Sequence, residues 1–128
     1  MKKLSVLIVD DDMTARELFS SLLRTHFDAK IETLSDGIDA MRRCRQSNYD
    51  IVWMDFEMPG MDGLAAVEVI KSVKPEQFIA MVSGHSEVEI VKKAISLGVD
   101  GYMVKPYTLG KIQGIIDKFL QSRGRKTN

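Results

Sequence analysis

The chain has a single cysteine, Cys44, so no internal disulfide framework can form, and the composition fits a reducing compartment. Histidine is nearly as scarce, and His26 and His85 stand far apart, which argues against a zinc site. Neither sign of charge is in excess. Eighteen lysines and arginines balance 18 aspartates and glutamates, so no global field draws the chain onto nucleic acid or an anionic membrane. Any charge chemistry has to be local. Long apolar runs are missing too. Met1-Lys2-Lys3 followed by Leu4 to Val9 begins like a signal peptide, but three aspartates end the run short of the roughly 7 to 15 residues of an h-region. No other segment approaches the roughly 18 apolar residues of a membrane span. The expected location is the cytoplasm, with neither nucleic acid nor a membrane as a direct partner.

What remains is an ordinary folded composition, 45% hydrophobic and 28% charged over 128 residues, enough for one domain of the usual size of about 100 to 150 residues. Five short apolar runs, 4 to 9, 30 to 34, 51 to 54, 78 to 83 and 101 to 104, have the length and the Val/Ile/aromatic content of strands. Helical spacing separates them. Ala15, Leu18, Phe19, Leu22 and Leu23 share one helix face, as do Leu109, Ile112, Ile116, Phe119 and Leu120. Weaker helical patterns cover 37 to 46, 64 to 73 and 86 to 97. Ser35-Asp36-Gly37 suits the start of the second helix, Ser86 with Glu89 resembles a capping box, Thr108 can cap the last helix, and Gly98 suits the end of the fourth. The pattern is (βα)5, an α/β doubly wound fold whose parallel strands need crossover helices on both faces of the sheet.

In such sheets ligands collect beyond the carboxyl ends of the strands. The first strand delivers Asp10, Asp11 and Asp12 there, the third Asp55 with Glu57 in the next turn, the fourth Ser83 and Gly84, and the fifth Lys105 and Pro106. The second delivers only Ser35 and Asp36. Packed carboxylates raise one another's pKa unless a cation sits among them. A hard divalent ion, Mg²⁺ or Mn²⁺, is the natural solution. With a hydroxyl and a lysine beside it, such a site forms a receptacle for a phosphoryl group, and Asp55 is the candidate nucleophile.

Asp10-Asp11 after "VLIV", Asp55 in "DIVWMDFEMPGMDG", Ser83 in "AMVSGHS" and Lys105 in "GYMVKPY" resemble the receiver domains of two-component response regulators, of the stand-alone chemotaxis-regulator type, over residues 4 to 121. The resemblance implies a flavodoxin-like sheet with strand order 2-1-3-4-5, a receiver domain over 1–122, and a basic tail or linker stub over 123–128. It implies a bacterial phosphorelay protein in which Asp55 accepts a phosphoryl group from a sensor histidine kinase or a histidine phosphotransfer protein. By the same resemblance, Asp10, Asp11, Asp55 and the Glu57 carbonyl would hold Mg²⁺, and Lys105 would pair with Asp55 and then with the phosphoryl group. Ser83 and Tyr102 would be the switch, and Lys105-Pro106 would be a cis peptide. The implied output is a downstream protein bound in trans at helix 4, strand 5 and helix 5. Glu57 and His85 would flank the acceptor and set the phosphoryl lifetime. Ser83 and Gly84 depart from the more usual threonine and alanine while keeping the site small.

Other residues have plainer readings. Asp12 complements the first helix's positive end, and Asp62-Gly63 makes a turn. Cys44 is a buried thiol, and Trp53 is a core residue on Asp55's side of the strand. Three rival functions are weighed against the receiver. An aspartyl phosphohydrolase of the haloacid-dehalogenase type expects an aspartate where Glu57 stands, and a longer chain with a cap. A receiver-fold interaction module that takes no phosphate would not need Asp11, Asp55, Ser83 and Lys105 together. A flavin-binding domain wants hydroxyls and glycines in the first loop, which here is Asp-Asp-Asp.

Overall fold

The strands β1 (Leu4–Val9), β2 (Ala29–Leu34), β3 (Ile51–Asp55), β4 (Phe78–Ser83) and β5 (Gly101–Val104) alternate with helices α1 (Met13–His26), α2 (Gly37–Gln46), α3 (Gly63–Val73), α4 (Val88–Ser96) and α5 (Leu109–Thr127). They come from a computed structural model that describes residues 3–58, 60, 62–84 and 87–127. The sheet is parallel throughout and ordered β2-β1-β3-β4-β5. β3 and β4 are buried along their whole length, because helices cover both faces.

Period-two alternation sorts the strand residues between two cores. Val6 and Ile8 of β1 and Ile51 and Trp53 of β3 pack with Phe19 and Leu23 of α1 and with Ile112, Ile116 and Phe119 of α5. Leu7, Val9, Val52 and Met54 pack on the opposite face with α2, α3 and Ala94 of α4. Phe19 stands edge-on to Trp53, with ring centroids 4.8 Å apart and planes at 71°. Each such fully buried side chain contributes about 1.5–3 kcal/mol from area removed from water. Among the described residues no helix is long and apolar enough to cross a membrane.

Most helix boundaries follow the expected chemistry. The Asp12 carboxylate accepts from the Thr14 and Ala15 N–H groups, and that of Asp36 accepts from Asp39. Thr108 Oγ1 accepts from the Lys111 N–H at 3.3 Å. Gly98 follows α4 with a φ of +92°. Two expectations are corrected. Asp62 and Gly63 do not form a free-standing turn: Asp62 is the N-cap of α3, accepting from the Ala65 N–H at 2.8 Å, and Gly63 is already helical. The same short carboxylate serves turns and caps, which is why sequence alone confuses them. The N-cap position of α4 is Glu87, with no side-chain cap bond, and Ser86 lies outside the described residues. α5 continues past residue 122 to Thr127.

Gly110 and Gly114 both lie on α5, and a Cβ at either would meet nothing within 4 Å. Alanine therefore fits. Gly110→Ala and Gly114→Ala are each expected to stabilise the chain by about 1 kcal/mol through helix propensity, read as a higher urea midpoint with an unchanged slope.

Candidate functional site

Asp10 follows Val9 out of β1, and Asp55 closes β3. Because Val9 is in register with Met54, the two carboxylates emerge side by side at the carboxyl edge of the central strands. By strand alternation both continue the rows of Ile8 and Trp53, toward α1 and α5. They are 1% and 3% exposed. With the exposed Asp11 they place carboxylate oxygens all within 4.8 Å of one another, forming a group among the described residues that could hold a metal ion.

Lys105 enters from the end of β5, where its N–H donates to the Ser83 carbonyl at 2.7 Å. Its Nζ lies 3.5 Å from Asp55 Oδ1 and 3.6 Å from Asp10 Oδ2. The Glu57 N–H reaches Asp55 Oδ1 at 3.4 Å. Ser83 is fully buried at the end of β4, one step beyond the Val82 that pairs with Asp55. The Lys105-Pro106 peptide is cis. Tyr102, half-buried on β5, packs against the core on the α4 side. Its neighbourhood includes a groove of about 410 Å³ lined also by Gly110, Lys111, Gly114 and Lys118. Glu57 lines an open cavity of about 420 Å³ with Asp11, Phe56, Met58 and Asp62. Its Oε1 lies 3.8 Å from where a Cβ on Gly84 would sit, so alanine would be accommodated there. His85 lies outside the described residues.

Burial, and after it the charge of Asp10, pushes the Asp55 carboxyl up to about 7, against the opposing pull of Lys105 and the Glu57 N–H. Burial would lower Lys105, but the Asp55 and Asp10 carboxylates outweigh it and raise the ammonium. A site that resists its own negative charge in this way fits a divalent cation: three hard oxygen donors converge, and two are shielded from solvent.

Three features escaped sequence reasoning. The Tyr107 hydroxyl donates to Asp10 Oδ2 at 2.9 Å, and burial followed by the Asp10 charge raises that phenol well above its ordinary range. Arg16 Nη1 donates to the Asp10 carbonyl at 2.6 Å. Gly63 presses on the backbone of Asp55, and its N–H donates to the Phe56 carbonyl at 2.9 Å. The phenol two residues past Lys105 was the one visible hint.

A sequence profile for the response regulator receiver domain matches residues 6–117. Chemotaxis protein CheY-3 of Vibrio cholerae serotype O1 is 29% identical over 125 residues, covering 94% of each chain. Among solved structures, the CheX-CheY-BeF3-Mg²⁺ complex from Borrelia burgdorferi aligns with a TM-score of 0.82 at 27% identity, covering 88% of this chain and 86% of that one. A CheY-like receiver domain protein from Methanospirillum hungatei aligns at 0.89 over 98% and 99% of the two chains. At 20% identity it is similar in fold.

Proposed function

The chain belongs to the response regulator receiver domain family, and on that premise we propose that it is a signalling switch whose phosphoacceptor is Asp55. The observation that carries the reading is the convergence of Asp10, Asp11 and Asp55 within 4.8 Å around a lysine 3.5 Å from Asp55. The donor is a phosphohistidine on a sensor kinase or phosphotransfer protein. An Asp55 carboxylate oxygen attacks phosphorus, the phosphorus–nitrogen bond breaks, the imidazole leaves with the electron pair, and an acyl phosphate forms on Asp55. Mg²⁺, held by Asp10, Asp11, Asp55 and the Glu57 carbonyl, would neutralise the carboxylates and the phosphoryl oxygens. BeF3, which stands in for a phosphoryl group, accompanies Mg²⁺ in the similar Borrelia complex.

Lys105 starts between Asp10 and Asp55 and turns its ammonium to one phosphoryl oxygen, while the Ser83 hydroxyl donates to another. Tyr102 then carries the change to the face made by α4, β5 and α5, where a partner protein binds in trans. Glu57, at the mouth beside Gly84, is suited with His85 to govern how water reaches the acyl phosphate. The chain catalyses its own phosphoryl uptake and hydrolysis and turns over no other substrate.

The test is intact mass after incubation with acetyl phosphate, with and without Mg²⁺. The expected result is a gain of one phosphoryl group, about 80 Da, that requires metal and is absent in Asp55→Asn. A folded, Mg²⁺-binding chain that gains nothing from acetyl phosphate or from a kinase would contradict the reading and favour a phosphate-independent interaction module.

A further inference from the structure

Asp10 is the most deeply buried carboxylate of the site, 1% exposed, and its contacts come from separate parts of the chain. Its Oδ1 accepts from the Asp12 N–H at 2.9 Å. Its Oδ2 faces Lys105 Nζ at 3.6 Å and accepts from the Tyr107 hydroxyl at 2.9 Å. Lys105 is shared with Asp55, whereas the tyrosine hydrogen bond goes to Asp10. Tyr107 is 97 residues away in sequence, between β5 and α5. Its ring packs on Phe19 at 4.6 Å with a 44° tilt, and Phe19 in turn packs edge-on against Trp53, two residues before Asp55. The hydroxyl is therefore aimed by a packed aromatic ring tied to the same strand that carries Asp55.

A buried carboxylate that can rotate about χ2 is a poor metal ligand, because ordering it subtracts from the binding free energy. Partners that orient metal-binding carboxylates typically change metal affinity about 10- to 100-fold when removed. We propose that Tyr107 is a positioning residue for the cation site, its hydroxyl holding the Asp10 carboxylate toward Asp11 and Asp55 so that the three acids are assembled before a divalent ion arrives. The inference rests on the reading of these acids as a Mg²⁺ site. A neutral O–H does this without adding a positive charge that would compete with the ion. Tyr107→Phe isolates the role, since it keeps the ring against Phe19 and removes the donor.

The experiment is calorimetric titration of the full chain with Mg²⁺, wild type against Tyr107→Phe, beside urea unfolding of both without metal. The expected result is an affinity about tenfold weaker in the variant. A merely structural hydroxyl would lower the urea midpoint and leave the affinity alone, so an affinity within twofold of wild type overturns the inference while leaving the receiver reading intact. A wild type that binds no Mg²⁺ would overturn both.

Discussion

Gly63→Ala is expected to lower the thermal midpoint by on the order of 10 °C and to weaken Mg²⁺ binding at the same time. A Cβ at position 63 would overlap the carbonyl oxygen of Asp55, and it would fall 2.9 Å from that carbonyl carbon and 2.7 Å from Met81 Cε. The methionine terminus can move aside. The Asp55 carbonyl cannot, because β3 is locked between β1 and β4 and the next N–H, that of Phe56, donates to Val82 at 2.8 Å. Overpacking of this kind costs about 3 kcal/mol, and for a chain of this length each kcal/mol moves the midpoint by roughly 3–4 °C. The first turn of α3 has to back away, which breaks the Gly63 N–H bond to the Phe56 carbonyl and disturbs the adjoining Glu57 backbone at the acidic site. Differential scanning calorimetry and a Mg²⁺ titration check both parts. A midpoint within about 2 °C of wild type would show that α3 can slide without cost. Gly110→Ala, in open space on α5, should move the midpoint the other way.

The raised Asp55 carboxyl is expected to withdraw stability from the metal-free domain as pH rises from about 4 to about 7, and Asp55→Asn to remove that contribution. The sign follows from the raised carboxyl. An unfolded aspartate releases its proton near 3.9, whereas folded Asp55 keeps its proton until about 7. Between those values the folded chain binds more protons than the unfolded one, so raising the pH favours unfolding. The contribution is fully present below about pH 4 and gone above about pH 7, and its ceiling is on the order of 4 kcal/mol. Urea unfolding of wild type and Asp55→Asn across this range, without metal, isolates the effect by subtraction. The variant should be the more stable of the two at pH 8, and saturating Mg²⁺ should narrow the gap by stabilising the wild type. Parallel profiles would show that Lys105 and solvent already neutralise the carboxylate.

The strands and the acidic rim were legible in the sequence for a physical reason. A parallel strand buried on both faces must be apolar along its length, so "IVWM" running into Asp55 and "VLIV" running into Asp10 mark both the strand and the edge where it meets solvent. Lys105 and Ser83 were legible by the same logic, since the carboxyl ends of parallel strands share one rim. Caps were less certain. Asp62 accepts a helix N–H, but the sequence signature of that bond is the same as that of a turn. Least legible were contacts set by the packing of distant elements. The reach of Tyr107 to Asp10 depends on how α1 and the β5–α5 loop meet, and the pressure of Gly63 on Asp55 depends on how closely α3 approaches β3. Neither leaves a periodicity to read.

Borohydride trapping of the protein after exposure to acetyl phosphate and Mg²⁺, followed by peptide mass mapping, locates the phosphoryl group. Reduction converts a phosphorylated aspartate to homoserine and leaves free carboxylates unchanged. Homoserine is expected at position 55, with an intact aspartate at Asp10, Asp11, Asp12 and Asp62. Homoserine at another position, or none in a folded chain that binds Mg²⁺, would contradict Asp55 as the phosphoacceptor.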